Sequence, residues 1–277
     1  MLIGTMNHPS RDIFVEIDWM AKMGMEFLDF TLEPPSAASW RMDAKAVRRA
    51  LETNDMDVIG HTAYYLPICH PYEEIRRAAV EELKRCLRIF AEVGARWMNI
   101  HPDRMAPFHS EDFIIEKNLE SLRDLLPMSR EYGVGLMIEN TPKYCNNAKQ
   151  LGYLLDRIPE LGLHLDIGHC NLGVTVNTTE EILAAYGSRL RHVHLHDNKG
   201  GTDDLHLPLG TGYLNLDKHI GSLRATGYDG MITLEVFSAD KHYLKYSAQV
   251  LRAIWDAAAS PTRRSKVQCE EAEHQCV

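Results

Sequence analysis

The stretches 161–169, LGLHLDIGH, and 190–197, LRHVHLHD, decide the fold class that this sequence predicts. Each contains a short run rich in Leu, Val or Ile, which is typical of a strand buried in a parallel sheet. Between them, residues 178–181 read TTEE, and hydroxyl and carboxylate side chains of this kind favour the first turn of a helix. The two stretches therefore predict a strand, a crossing helix and a second strand.

The same pattern repeats along the chain. Eight short apolar runs occur, at residues 2–5, 27–32, 58–62, 97–101, 135–140, 161–167, 190–196 and 231–237. The segments between them show helical spacing, most clearly residues 72–93, where apolar residues form one stripe and charged residues occupy the other faces. Gly94 and Gly133 follow two of these segments, at positions where glycine commonly ends a helix.

Eight strands that alternate with eight helices predict an α/β fold, the (β/α)8 TIM barrel. A doubly wound open sheet is the alternative, but neither GxGxxG nor GxxxxGKS/T follows the first strand, which removes the usual reason to prefer it. The chain has 277 residues, and barrels of ~250 residues commonly form one domain. We expect one barrel domain over residues 1–257 and a polar, mobile tail over residues 258–277.

The composition is that of an ordinary soluble protein, with 45% hydrophobic and 25% charged residues. No run approaches the ~20 apolar residues of a membrane span, and the first residues lack the basic and apolar regions of a signal peptide. The six cysteines form no CxxC pair, so we expect reduced thiols and a cytoplasmic location. The net charge of -9 disfavours nucleic acid as a partner, although a basic cleft would compensate. The sequence leaves the oligomeric state open.

The chemistry of such barrels is carried by side chains where strands end and loops begin. The ends of predicted strands three to eight, and the loop after strand seven, present candidates that are all His or carboxylate. These are His61, His101, Glu139, Asp166, His169, His194, Asp204, His206 and Glu235. One such histidine would more often be a packed core residue, but six successive strand ends that all conform are hard to explain by chance. Imidazole combined with carboxylate suits zinc, manganese, iron or cobalt, so the pattern predicts a divalent-metal site.

Other polar residues beside these candidates have a plainer interpretation. His164, His192 and His196 share the strand parity of the candidates next to them, so their side chains should also point into the barrel. We interpret the three as core residues or as groups that orient a metal ligand. Asp197 is either a ligand or a group that orients a ligand histidine, and we favour the second interpretation. The glycine-rich turn at residues 209–212 is interpreted as an ordinary loop.

The motifs around the candidates resemble those of one known family. They are LDIGH at 165–169, HLHD at 194–197, DLHLPLGTG at 204–212, and the glutamates of IEN at 138–140 and LEVF at 234–237. In these motifs the chain resembles the xylose isomerase-like TIM barrels, a superfamily that includes endonuclease IV and many sugar or sugar-phosphate isomerases and epimerases. The resemblance extends over about the first 257 residues.

The isomerase branch of this family implies one divalent ion held by Glu139, Asp166, His194 and Glu235. The catalytic residues would then be Glu139 and Glu235, which move a proton at a substrate carbon while the ion polarises oxygen atoms. LDIGH in place of a Cys-rich stretch, and HLHD in place of HLND, favour this branch. We therefore expect a metal-dependent isomerase or epimerase whose substrate is a sugar, polyol or sugar phosphate.

The endonuclease IV branch implies a cluster of three metal ions. It adds five ligands, all of which the chain has: His61, His101, His169, Asp204 and His206. Such a cluster would activate a water for attack on a phosphodiester, with Glu139 bridging two ions. The sequence thus leaves two alternatives, with one to three ions per chain. They are the isomerase or epimerase, which we favour, and a hydrolase of phosphoesters, DNA included.

Overall fold

The computed structural model describes residues 1–104, 108–142 and 144–259. Strands and helices alternate through these residues. The strands are β1 (Leu2–Met6), β2 (Phe27–Leu32), β3 (Asp57–Thr62), β4 (Trp97–Ile100), β5 (Gly135–Glu139), β6 (Gly162–Asp166), β7 (Leu190–Leu195) and β8 (Met231–Leu234). The helices are α1 (Ile13–Lys22), α2 (Ala44–Thr53), α3 (Glu73–Val93), α4 (Glu111–Tyr132), α5 (Ala148–Leu155), α6 (Thr179–Tyr186), α7 (Leu216–Ala225) and α8 (His242–Ala259).

Each strand pairs in parallel with the next, and β8 pairs with β1. The strands of the described residues therefore form a closed barrel in chain order with a helix after each strand, so the predicted (β/α)8 fold is confirmed. α8 extends through Ala259, and the rest of the predicted tail, residues 260–277, lies outside the described residues. Within the part of the chain that is described, no helix is both long and apolar enough to span a membrane.

Some strands end earlier than the sequence predicts. β8 ends at Leu234, and beyond it the backbone N–H of Phe237 donates a hydrogen bond to the carbonyl of His206, 3.1 Å away in the loop before α7. β4 and β7 each end one residue before the predicted boundary. His101 and Glu235 therefore lie just beyond their strands, where the loops open.

Side-chain chemistry sets where several helices begin and end. Asp12 and Ser110 accept hydrogen bonds from backbone N–H groups in the first turns of α1 and α4. Gly94 (φ 98°) and Gly133 (φ 67°) follow α3 and α4 in the left-handed conformation, which glycine adopts without a steric penalty. The predicted helix ends at these two glycines are confirmed.

The start of α6 differs in detail from the prediction. Thr178 precedes the helix, but its side chain makes no capping bond. Instead, the side-chain oxygen of Asn177 accepts a hydrogen bond from the backbone N–H of Thr179, 2.9 Å away. Glu180 and Glu181 occupy the first turn, where negative charge is favoured by the helix dipole.

The interior of the barrel changes character along its axis. Phe27, Ile59 and Met137 form a small buried apolar cluster near the amino-terminal ends of β2, β3 and β5. Because side chains alternate along a strand, the next inward position lies two residues further on. Those positions hold Asp29, His61 and Glu139. The interior is thus apolar at one end and rich in imidazole and carboxylate groups at the other, while a larger apolar cluster fills much of the remaining core.

Candidate metal centre

All nine candidate residues lie at the carboxyl-terminal end of the barrel. Glu139 and Asp166 are the last residues of β5 and β6, while His61 and His194 lie near the ends of β3 and β7. The others lie in the turns and loops that follow β4, β6, β7 and β8: His101, His169, Asp204, His206 and Glu235. Each contributes a ligand atom to groups whose members lie within 4.8 Å of one another. The structure therefore brings together every residue that the sequence assigned to the site.

Glu139, Asp166, His194 and Glu235 form what we call the carboxylate-rich cluster. Its three carboxylates converge on Nδ1 of His194: Glu235 Oε2 lies 3.2 Å away, and Glu139 Oε1 and Asp166 Oδ2 each lie 4.0 Å away. The side chain of Glu235 is 11% exposed, and the other three are buried. Burial alone would lower the pKa of His194, but Glu235 and Asp29 raise that pKa well above its usual value.

Glu139 also connects the cluster to two further histidines. Its Oε2 lies 3.0 Å from Nε2 of His101 and accepts a hydrogen bond from Nδ2 of Asn99, 2.5 Å away. The ring centres of His61 and His101 are 5.0 Å apart, and both histidines offer ligand atoms in a group with Glu139. Burial is the main cause that lowers the pKa of His101, which favours the neutral imidazole that can bind a cation.

His169, His196, Asp204 and His206 form what we call the histidine-rich cluster. Oδ2 of Asp204 lies 3.2 Å from Nε2 of both His169 and His206, and Oδ1 lies 3.6 Å from Nε2 of His196. Burial opposes protonation, but Asp166 and Asp204 raise the pKa of His169 to about 10. A cation that binds here must displace that proton. His196, which the sequence suggested to be a core or orienting residue, thus lies beside a candidate ligand.

Asp29 on β2 is a residue of this site that the sequence analysis missed. It is buried, its Oδ2 lies 2.7 Å from Nε2 of His194, and its Oδ1 lies 3.5 Å from Nδ1 of His61. The hydroxyl of Thr233 donates a hydrogen bond to Oδ2, 2.7 Å away. Burial would raise the pKa of Asp29, but His61, His192 and His194 hold that pKa well below its usual value. A lone aspartate in the apolar strand FLDFTL was the available signal, because a buried carboxylate needs partners.

The carboxylate of Asp197 has a different role from the predicted one. It accepts hydrogen bonds from the backbone N–H groups of Gly210 (2.9 Å), Gly212 (2.8 Å) and Leu214 (3.2 Å). A side chain at Gly212 would overlap this carboxylate. The glycine-rich turn is therefore wrapped around a buried charge, which fixes the loop between β7 and α7 instead of orienting a histidine.

The donor atoms at this end of the barrel fit a divalent metal ion. Within the described residues, buried atoms that include Asp166 Oδ2 and His196 Nε2 have no hydrogen-bond partner. Such atoms are rare in proteins, because leaving one unsatisfied costs roughly 1–3 kcal/mol. A divalent cation would satisfy both, and donors that combine imidazole and carboxylate suit zinc, manganese, iron or cobalt.

Comparison with known proteins points to one family. The family model described as a xylose isomerase-like TIM barrel matches residues 17–254. The resemblance that the motifs suggested is therefore confirmed.

Relatives of the chain carry names of different activities. Probable endonuclease 4 of Aquifex aeolicus is 26% identical over 245 residues, which cover 80% of this chain and 83% of the relative. Fructoselysine 3-epimerase of Escherichia coli O157:H7 is 24% identical over 200 residues, which cover 69% of this chain and 72% of the relative. Among solved structures, a D-tagatose 3-epimerase-like protein matches with a TM-score of 0.83 at 20% identity, over 93% of this chain and 98% of that chain. The structural match shows a shared fold, and the sequence relatives include both a nuclease and an epimerase by name.

Proposed function

We propose that this chain, which belongs to the xylose isomerase-like TIM barrel family, is a divalent-metal-dependent isomerase or epimerase of a sugar, polyol or sugar phosphate. One observation carries most weight: Glu139 and Glu235 approach the same atom, Nδ1 of His194, to 4.0 and 3.2 Å. They do so from the ends of β5 and β8, which are not neighbours in the barrel. Two carboxylates around one small volume suit a reaction in which a proton leaves a carbon and is returned.

The carboxylate-rich cluster would hold the catalytic ion. When bound, the ion polarises carbonyl and hydroxyl oxygens of the substrate and makes a neighbouring C–H bond more acidic. Zinc, manganese, iron and cobalt all suit its ligands. Together with the other candidate ligands, the site would take one to three ions per chain.

The two glutamates would divide the proton transfer between them. One carboxylate takes the proton from the carbon beside the substrate carbonyl, and the other returns a proton to the adjacent carbon or to the opposite face. Oε2 of Glu139 is held by Asn99 and His101, so Oε1 is the atom directed toward His194. That constraint aims one lone pair of Glu139 into the space that the substrate would fill.

Aromatic rings near the clusters suit a small polyhydroxy substrate. Phe237 is 64% exposed and stacks on His206, with ring centres 4.2 Å apart. Tyr64, also exposed, has its ring centre 6.4 Å from that of His101. Aromatic faces offer broad apolar surfaces against which the C–H groups of a sugar can pack.

The net charge and two paired loop cations favour a small substrate over DNA. Arg11 lies 3.7 Å from Glu16, and the Lys241 ammonium lies 4.4 Å above the Trp19 ring, so these two loop cations already have partners within the chain. The net charge of -9 adds long-range repulsion of phosphates. DNA binding depends on several Lys or Arg side chains that neutralise phosphates, so these features weigh against it.

Exchange of substrate hydrogens with solvent tests the proposal. Protein loaded with manganese is incubated in D2O with D-tagatose, D-fructose and their phosphates, and deuterium incorporation at carbon is followed by NMR. Glu139→Gln and Glu235→Gln should each slow the exchange roughly 10²- to 10⁴-fold, the contribution of a positioned acid or base. Glu160→Gln, which lies before β6 and is paired with Arg130, is the control and should exchange at the wild-type rate. Undiminished exchange in both site variants would contradict the proposal.

A phosphoester hydrolase with two or three metal ions is the second candidate function. Two observations favour it: the five residues that match the additional ligands of the endonuclease pattern lie in compact groups of imidazole and carboxylate side chains, and several relatives are named probable endonuclease 4. An ion between His61, His101 and Glu139 would then help to activate a water.

Cleavage of DNA that contains an abasic site separates the two candidates. A hydrolase loaded with zinc should nick this DNA, and His61→Ala and His101→Ala should lose both an ion and the cleavage. Wild-type protein that exchanges sugar hydrogens but leaves the DNA intact would exclude the second candidate.

A further inference from the structure

We infer that the histidine-rich cluster is a closed, four-ligand site for one zinc-class ion, and that His196 is the ligand that closes it. The motif resemblance implies His169, Asp204 and His206 as ligands, whereas the role of His196 comes from the geometry of this chain. The inference goes beyond the proposed function and does not depend on which reaction the neighbouring cluster catalyses.

The backbone fixes which ring nitrogen of each histidine is free to bind a cation. Nδ1 of His169 lies 2.9 Å from the carbonyl oxygen of Asn140, Nδ1 of His206 lies 3.1 Å from that of Glu235, and Nδ1 of His196 lies 3.4 Å from that of Asp197. A carbonyl oxygen only accepts hydrogen bonds, so each Nδ1 carries the proton. In a neutral imidazole, Nε2 then presents a lone pair.

The Nε2 atoms of the three histidines converge on Asp204. They lie 3.2, 3.2 and 3.6 Å from its carboxylate oxygens, and Nε2 of His196 also lies 3.4 Å from Oδ1 of Asp166. Without an ion, a proton on Nε2 of His169 joins that ring to Asp204, and a cation that binds would displace it. Three imidazole nitrogens and one carboxylate oxygen, all within 4.8 Å of one another, match the four donors of a tetrahedral zinc site.

His196 is held in this position from several sides. Its side chain is fully buried, its ring stacks on that of His206 with centres 4.2 Å apart, and its Nε2 has no hydrogen-bond partner within the described residues. A Cβ atom at Gly168 would overlap the His196 ring, so this glycine leaves the space that the imidazole occupies. The chain is therefore shaped locally to hold an imidazole whose Nε2 lies between the carboxylates of Asp166 and Asp204.

A metal site with four protein donors has a different role from a catalytic metal site. Structural zinc sites are closed by four protein ligands, whereas catalytic sites keep a position open for water or substrate. An ion here would join the loop that carries Asp204 and His206 to His196, directly after β7, and to the turn after β6. It would hold that loop in place without offering a position to a substrate.

Zinc binding to the metal-free protein tests the inference without any substrate. After removal of metal with a chelator, zinc is titrated by calorimetry, and bound ions are counted by elemental analysis. His196→Asn should bind one ion fewer than wild type, or bind it at least roughly 100-fold more weakly, since even residues that only support a ligand contribute 10- to 100-fold. An unchanged ion count and affinity in His196→Asn would overturn the inference and would mean that Asp166 and Asp204 merely share a proton with this histidine.

A second variant removes no candidate ligand and guards against a simple loss of folding. Gly168→Ala should displace the His196 ring and lose the same ion as His196→Asn. Gly221→Ala is its control, because a Cβ atom there meets open space. His219→Asn is the control for losing a buried histidine, since His219 bonds to Glu180 away from both clusters. Both controls should retain the wild-type ion count, and a Gly168→Ala variant that is folded and retains every ion would refute the assignment.

Cobalt(II) tests the closed geometry itself. Tetrahedral cobalt absorbs visible light far more strongly than octahedral cobalt. Wild-type protein loaded with cobalt should therefore show an intense band that His196→Asn lacks. A wild-type spectrum with only weak octahedral bands would show that the site is open. The zinc titration, the ion count and the cobalt spectrum do not depend on the outcome of the sugar-exchange experiment, which tests Glu139 and Glu235.

Discussion

The carboxylate-rich and histidine-rich clusters are neighbours at one end of the barrel, yet they have opposite compositions. The first combines three carboxylates with one imidazole, and the second combines three imidazoles with one carboxylate. Oxygen-rich donors suit manganese, which accepts additional oxygen ligands from a substrate, whereas nitrogen-rich tetrahedral donors suit zinc. The two clusters should therefore differ in both metal preference and role.

The backbone that supports the two clusters also differs. Glu139, Asp166 and His194 belong to strands of the closed barrel. Asp204 and His206 lie in a loop, and His206 has a positive φ of 45° that residues other than glycine rarely adopt. Strands place a catalytic group more reproducibly than loops do. A loop that carries ligands, in turn, is a segment that a bound ion can fix in place.

Metal removal should produce the largest effect and should separate the two clusters. Chelation is expected to slow sugar C–H exchange on the order of 10³-fold or more, because polarisation by a metal contributes several kcal/mol and each 1.36 kcal/mol is tenfold. Manganese should restore exchange, while the first equivalent of zinc should fill the histidine-rich cluster and restore little. Elemental analysis beside the NMR assay measures both. Full recovery with that first equivalent of zinc would show that the clusters do not differ as proposed.

Replacing Asp29 should weaken one cluster more than the other. Asp29→Asn keeps the side-chain volume but removes the charge that faces His194 and His61. We expect manganese affinity at the carboxylate-rich cluster to fall roughly 10- to 100-fold, the effect of losing a group that orients a metal ligand. Zinc affinity at the histidine-rich cluster should change little, since its imidazoles are oriented by backbone carbonyls.

Calorimetric titration of each metal checks this prediction. Asp18→Asn, in an exposed ion pair with Lys22, is the matched control and should bind both metals like wild type. An equal loss at both clusters would mean that Asp29 supports the barrel as a whole and not one set of ligands.

A change in the turn around Asp197 should have the smallest effect. Gly212→Ala overlaps the Asp197 carboxylate and should destabilise the protein by about 1–3 kcal/mol, as is usual for overpacking. Zinc affinity should fall with it, because the turn belongs to the loop that carries Asp204 and His206, while manganese affinity should not. Thermal unfolding and zinc titration measure the two effects. Gly221→Ala, within α7, should instead be neutral or slightly stabilising, and equal destabilisation by both changes would contradict the role given to the turn.

The strand pattern made much of this molecule predictable from its sequence. Apolar runs separated by amphipathic segments specify a closed parallel barrel, because each strand must be buried on both faces. Once strand ends are located, the period of two places Glu139, Asp166 and His194 inside the barrel. The predicted site residues on strands therefore needed no tertiary information beyond the fold.

The roles of the other residues depend on tertiary contacts, which the alternation of side chains along a strand does not reveal. Parity shows that His196 points inward, but it does not show that its Nε2 reaches Asp204 in a loop. Asp197 carries the same charge as a ligand, yet the loop backbone folds around it and uses that charge. The strand-end pattern does not include Asp29, because this residue lies in the middle of its strand. A carboxylate in an otherwise apolar strand nevertheless indicates that a partner must lie close to it in the fold.

The space shared by position 168 and the His196 ring links the substitutions that evolution can make at these two positions. A side chain at position 168 would overlap the His196 ring in its present position, so a descendant that gains one must also move this ring or replace it by a smaller side chain. Conversely, an imidazole at position 196 takes its present place without a clash when position 168 is glycine. The two positions are thus epistatic: Gly168 supplies no metal donor itself, but it leaves the space that the third imidazole of the histidine-rich cluster occupies.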